Sequence, residues 1–220
     1  FMLSIAITLL VSVATAEAKV FLVSVGIADY PGRSNDLRLP VKDAQTIKWL
    51  YDKTPNATTR LLVNSNATKS NIIQTMNAVF GKAGRNDIIV LFFSGHGTKS
   101  GLVAYDGTLS FDEIRKAFAK CTCQNKMIFA DACFAGKFRQ EASSQGSGHK
   151  RGNVMLFLSS RSNEYSIERP TMKNGLFTAA LISGLRGRAD TNRDRVISAK
   201  ELYTYVSTDV IKKSANKQHP

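Results

Sequence analysis

Ile88-Ile89-Val90-Leu91-Phe92-Phe93-Ser94-Gly95-His96-Gly97 is an unbroken apolar run that stops at a serine and then at a histidine held between two glycines. The run is rich in β-branched and aromatic residues and shows no polar alternation, which marks a strand covered on both faces, as in a parallel sheet. Downstream, Met127-Ile128-Phe129-Ala130-Asp131-Ala132-Cys133-Phe134-Ala135-Gly136 repeats the design with a cysteine in place of the histidine. Two buried strands thus each deliver one reactive side chain to their carboxyl end, the edge where open α/β sheets bind ligands.

Strand and helix alternate along the rest of the chain. Residues 19–27 form a second near-continuous apolar run, 60–63 a short one, and 154–158 a fifth strand after 127–130. Between them, 41–52, 68–80, 111–118, 176–185 and 199–211 carry apolar residues at helical spacing, and Ser110 with Glu113 three places on forms a capping box. The alternation predicts an α/β fold, a mainly parallel central sheet with helices on both faces. At 220 residues the chain suits one domain.

Residues 2–13 are apolar and almost uncharged, and Ala14-Thr15-Ala16-Glu17-Ala18 supplies a small-residue cleavage pattern. This reads as a signal peptide over 1–18, shortened at its start because Phe1 is not an initiator, with the mature chain exported to the periplasm or cell exterior. A buried N-terminal strand or helix is the other reading of that run. Its removal takes away Glu17 and no Lys or Arg, so the formal charge rises from +13 to +14. The Lys and Arg residues are scattered, without the aromatic-interleaved basic block of a nucleic-acid binder, so specific nucleic-acid recognition is not expected. No segment of the mature chain has the roughly 20 apolar residues of a membrane span.

Three cysteines are too few for a disulfide scaffold. Cys121 and Cys123 would close a strained ring if paired, and no further Cys or His stands at zinc-ligand spacing. Cys133 is different: a thiol is a strong nucleophile as thiolate, which an imidazole favours by taking the proton or pairing with the charge. His96 and Cys133 therefore suffice for cysteine hydrolase chemistry.

Five stretches together resemble the caspase-like peptidases, and more closely the bacterial metacaspases: Val25-Gly26-Ile27-Ala28-Asp29-Tyr30, Leu39-Pro40-Val41-Lys42-Asp43-Ala44, Ser94-Gly95-His96-Gly97, Asp131-Ala132-Cys133-Phe134-Ala135-Gly136 and Gly175-Leu176-Phe177-Thr178. The resemblance covers nearly all of the chain after residue 18. It implies a three-layer α/β/α sandwich, with 19–136 corresponding to the large subunit, 137–152 to a linker and 153–220 to the small subunit. It carries the general base onto His96, the nucleophile onto Cys133 and the oxyanion hole onto the backbone N–H groups of Gly97 and Cys133. It also implies a substrate pocket of Asp43, Ser94 and Asp131. Two carboxylates at such a pocket repel one another until a guanidinium or ammonium enters, so the expected substrates are peptides or proteins with Arg or Lys at P1. Pro40 departs from the small or cysteine residue often found there in metacaspases.

The stretch 137–152 is polar and rich in Ser and Gly, and reads as an exposed, mobile loop. Its Lys137, Arg139, Lys150 and Arg151 suit the expected pocket, which makes self-processing there an expectation. Residues 190–201 match the ligand spacing of an EF-hand loop, with Asp190, Asn192, Asp194, Val196 and Glu201 as Ca²⁺ candidates. Arg195 stands where the sharp turn normally has glycine and adds positive charge, so a solvated loop capping the last helix is the favoured reading. No cofactor is required by the chemistry. A non-catalytic caspase-like binding or scaffold module and an acyl-transfer or amidase enzyme are the competing functions; intact His96, Cys133 and Asp131 speak against the first, and the acidic pocket against the second.

Overall fold

The computed structural model describes residues 18–133, 154–159 and 172–220. In chain order the elements are β1 (Val20–Gly26), α1 (Pro40–Asp52), β2 (Ala57–Val63), α2 (Lys69–Phe80), β3 (Ile88–Ser94), β4 (Gly97–Thr98), β5 (Gly101–Ala104), β6 (Gly107–Ser110), α3 (Phe111–Ala119), β7 (Asn125–Asp131), β8 (Val154–Leu158), α4 (Leu176–Ser183) and α5 (Ala199–Lys213). Five of the strands pair in parallel in the order β2-β1-β3-β7-β8. The predicted parallel sheet is therefore present, and β3, with the histidine after it, lies directly beside β7, with the cysteine.

Side-chain alternation along each strand sorts the core into two halves. Phe21, Val23 and Val25 of β1, Ile89, Leu91 and Phe93 of β3, and Ile128 and Ala130 of β7 face α2 and α3. Leu22, Val90, Phe92, Phe129 and Phe157 face the other way, against α1, α4 and α5. The result is a three-layer α/β/α sandwich whose central layer is apolar on both sides.

Local sequence sets the helix boundaries. Ser110 and Ser198 each cap a helix reciprocally with a glutamate at the third position, Glu113 and Glu201. The reading of 176–185 as one helix needs amending: regular α4 ends at Ser183, and Gly184–Arg188 forms a wider turn with Gly187 at φ 107. The left-handed backbone at Gly187 is one that glycine adopts without steric cost.

Two further features were not read from the sequence. Strands β4, β5 and β6 form a separate antiparallel sheet immediately after His96. Lys126, near the start of β7, is buried, and its Nζ donates to the carbonyls of Phe118 and Cys121 at 2.8 Å each. Both carbonyls lie at the end of α3, where acceptors lack the regular helical donor; Phe118 also accepts from the Cys121 N–H at 3.3 Å, and the side chain from the next strand adds a charged donor to each.

Among the described residues no helix is long and apolar enough to cross a membrane. The signal-peptide reading falls on residues 1–18 and the self-processing reading on 137–152, both outside the described residues apart from Ala18.

Candidate active site

Parallel register places Ser94 opposite Asp131, and the Gly95 N–H donates to the Asp131 carbonyl at 3.2 Å. The two strand exits therefore run side by side. Gly97 continues the approach: its Cα backs onto the Cys133 carbonyl, and a Cβ there would collide with that oxygen. Only a residue without a side chain lets the histidine loop lie this close to the cysteine. His96 and Cys133 are thus brought to one edge of the sheet, each partly exposed.

His96 is held from three directions. Its Nε2 lies 2.7 Å from the carbonyl oxygen of Asn35, its backbone N–H donates to the Tyr30 hydroxyl at 2.9 Å, and its ring packs against the Tyr30 ring with centroids 4.8 Å apart. The Tyr30 hydroxyl in turn donates to the Val103 carbonyl at 3.0 Å. A proton on Nε2 directed at Asn35 leaves Nδ1 as the nitrogen available to exchange a proton with a neighbour. On one side the ring borders a cavity of about 400 Å³ walled by Tyr30, Pro31, Val103, Tyr105 and Gly107.

None of Cys133, Cys121 and Cys123 is in a disulfide. The three differ in setting. Cys121 and Cys123 are buried; the Cys123 Sγ donates to the Asp87 carbonyl at 2.8 Å, and burial pushes its thiol above the ordinary cysteine range. That setting suits an inert structural thiol.

The acidic candidates converge on the opposite side of the strand exits. Asp43, in the first turn of α1, and Asp131, the last residue of β7, are both almost wholly buried. Asp43 accepts hydrogen bonds from Ser94 Oγ at 3.0 Å, Asn174 Nδ2 at 2.8 Å and the Gly175 N–H at 3.1 Å. Asp131 accepts from the Thr178 hydroxyl at 2.7 Å and the Thr178 N–H at 3.2 Å. Burial, and next the negative charge of Asp131, hold the Asp43 carboxyl well above the usual carboxylate range. The neutral donors around it offset part of that shift.

Gly175 is the hinge of this arrangement. A Cβ on it would come within 2.6 Å of Asp131 Oδ2 and 3.4 Å of Asp43 Oδ2, so the backbone at the head of α4 touches both acids at once. Its φ of −55° suits alanine, so a substitution there acts through space alone. Gly175→Ala is expected to lower stability by about 1–3 kcal/mol, the usual cost of overpacking. It should also lower kcat/KM for a basic substrate far more than a neutral surface change does. Thermal unfolding together with peptide kinetics checks both.

Sequence reasoning named His96, Cys133, Asp43, Ser94 and Asp131 as candidates, and the structure brings all five to this edge. It missed Asn35, which acts through a backbone carbonyl, and Asn174, whose amide reaches back to α1. Thr178 lay in a quoted motif without a role.

The Ca²⁺ candidates form a loop with local bonds: Asp190 accepts from the Arg195 N–H, Asn192 Oδ1 from the Asp194 N–H, and Asp194 Oδ1 from the Val196 N–H. Glu201 is turned to Ser198 and Thr191, whose donors, Ser198 first, hold its carboxyl down at about 2. No group of three or more His, Cys, Asp or Glu among the described residues stands ready to hold a metal ion.

A family model described as the caspase domain matches residues 20–220. The chain belongs to the caspase-domain family. Its members are cysteine peptidases, and protein substrates follow from that class. A similar solved structure is that of protein GSU0716 from Geobacter sulfurreducens, with a TM-score of 0.68 over 92% of this chain and 91% of that one, at 16% identity. That likeness concerns the fold alone. No curated protein matches the chain.

Proposed function

We propose that this caspase-domain protein is a cysteine endopeptidase of metacaspase type that cleaves after Arg or Lys, with His96 and Cys133 as its dyad. The observation that carries the reading is the pair of buried carboxylates meeting at Gly175 beside the strand exits. The partners of Asp43 named above are all neutral, so a P1 guanidinium would be the countercharge that lets both acids ionise. Its planar fork matches two carboxylates better than a single ammonium, so Arg should exceed Lys.

In this reading His96 takes the Cys133 proton and the thiolate attacks the carbonyl carbon of P1. The C–S bond forms as the carbonyl pair moves onto oxygen, where the N–H groups of Gly97 and Cys133 receive it. Collapse restores the carbonyl and breaks the C–N bond; the leaving amine takes the proton from His96. Water, activated by the same imidazole, then hydrolyses the thioester and frees the enzyme.

Self-processing at Lys137, Arg139, Lys150 or Arg151 belongs to the same proposal, since these side chains fit the same pocket. Export is proposed from residues 1–18. Ca²⁺ is not part of the mechanism proposed here. The non-catalytic module is disfavoured by a complete dyad standing beside a complete acid pair.

The test is a fluorogenic peptide panel differing only at P1, read alongside labelling by acyloxymethyl ketones with P1 Arg or P1 Asp. Arg is expected to exceed Lys, with Asp not turned over and only the Arg reagent labelling Cys133. Equal cleavage after Arg and Asp overturns the pocket; no labelling by either reagent overturns the enzyme.

A further inference from the structure

From the peptide unit that precedes the nucleophile, we infer that Ser159, anchored by Gln218, is a positioning residue for the oxyanion hole. The inference rests on the dyad reading above. Ser159 follows β8 and is fully buried, 27 positions from Ala132 in the chain. Its Oγ accepts from the Ala132 N–H at 3.0 Å and donates to the Ala132 carbonyl at 3.1 Å. One hydroxyl thus holds both backbone groups of the residue before Cys133.

Peptide planarity turns that contact into control of the oxyanion donor. The Ala132 carbonyl and the Cys133 N–H belong to one rigid trans unit and point in opposite directions, with a rotation barrier of about 18–20 kcal/mol. Fixing the direction of the carbonyl therefore fixes the direction of the N–H. Such donors contribute because they are already aimed where charge will develop.

Ser159 is itself held at both ends. Its N–H donates to the Ala130 carbonyl at 2.9 Å, and its carbonyl accepts from Gln218 Nε2 at 2.7 Å. Gln218 is fully buried, and its N–H donates at 3.1 Å to Ser214 Oγ, the residue that ends α5. A buried polar string thus runs from the end of the last helix to the peptide of the nucleophile. Buried polar groups are ordinarily hydrogen-bonded, so satisfaction alone would explain each link. What it does not explain is the two-point grip on the one peptide the reaction must orient.

Removing an oxyanion donor outright costs about 10²–10³ in kcat, so loosening one should cost about 10–50-fold. In Ser159→Ala, kcat for a P1-Arg peptide is expected to fall by that factor, with KM changed less than about threefold. A P1-Arg peptide aldehyde, which adds the thiol and places an oxyanion in the same hole, should weaken in proportion. Alkylation of Cys133 by iodoacetamide forms no oxyanion and should stay within about twofold of wild type. Gln218→Met, similar in size but without the amide donor, should move kcat and aldehyde affinity the same way to a smaller extent.

A folded Ser159→Ala with wild-type kcat overturns the inference, as does a parallel fall in alkylation, which would mean a disturbed dyad. Unfolding of both variants overturns it too, by making the string a stability element. Wild type that neither alkylates at Cys133 nor cleaves the Arg peptide removes the dyad reading itself, an outcome distinct from the others.

Discussion

Cys133→Ala is expected to reduce turnover of a P1-Arg peptide to background, with the fold intact. The thiol is the only proposed group able to form the acyl intermediate, and removing the nucleophile of a covalent mechanism leaves only binding and the oxyanion hole, worth no more than about 10³–10⁴ over water. Its removal should not disturb packing, because Cys133 is partly exposed and the close contact with Gly97 is made by its backbone. His96→Ala should fall nearly as far, since residues that act as a unit are not additive. The comparison with wild type also decides self-processing: intact mass after incubation should show cuts after Lys137, Arg139, Lys150 or Arg151 in wild type and none in Cys133→Ala. Activity retained by the folded alanine variant contradicts the assignment of the nucleophile.

Asp43→Asn is expected to do two opposite things, losing the substrate and gaining stability. Truncating one charge of a desolvated pair costs on the order of 2–5 kcal/mol, so kcat/KM for an Arg peptide should drop by roughly 30- to 5,000-fold. Stability moves the other way because of where the proton sits. An unfolded aspartate releases its proton near pH 4, whereas burial and Asp131 make Asp43 keep it to higher pH in the folded chain. Across that window the folded state binds more protons, so wild-type stability declines as pH rises from about 4 toward the raised folded value. Asparagine has no proton to lose and can still accept from Asn174 and Gly175 through its carbonyl. Its Tm should exceed wild type by a few degrees at pH 7–8, about 1–2 kcal/mol for a site released from functional strain, with the gap closing toward pH 4. Undiminished Arg cleavage would contradict the pocket, and a Tm difference independent of pH would contradict the buried proton.

Much of this was readable from residue order, for definite physical reasons. The run at 88–93 has no polar residue and 20–27 only Ser24, and a strand buried on both faces needs no polar alternation, so their burial and parallel pairing followed. The capping box at Ser110 fixed a helix start because the donors it satisfies are local in sequence, while the matching box at Ser198 emerged only from the structure. Strand β2 was read too short, since Ala57-Thr58-Thr59 has no apolar signature and joins the sheet by pairing with Val20–Leu22 of β1. Strands β4 to β6 were missed because two to four residues show no period. In the site, side chains with distinctive chemistry were legible. The Asn35 carbonyl was not, because every residue has one, and Ser159 and Gln218 gained meaning only when the fold brought distant chain segments onto a single peptide.

The buried Lys126 also bears on how the chain finds this arrangement. Even-numbered residues of β7 face α2 and α3, and odd-numbered ones, ending in Asp131, face α1 and α4. A slip of β7 by one position would exchange the two sets. The ammonium would leave the carbonyls of Phe118 and Cys121 and enter the layer that holds Phe129 and Phe157, while the carboxylate would turn away from Asp43. The cation at the foot of the strand therefore works as a parity check on the anion at its head: the register that seats one also seats the other, and a misaligned sheet is penalised at both ends.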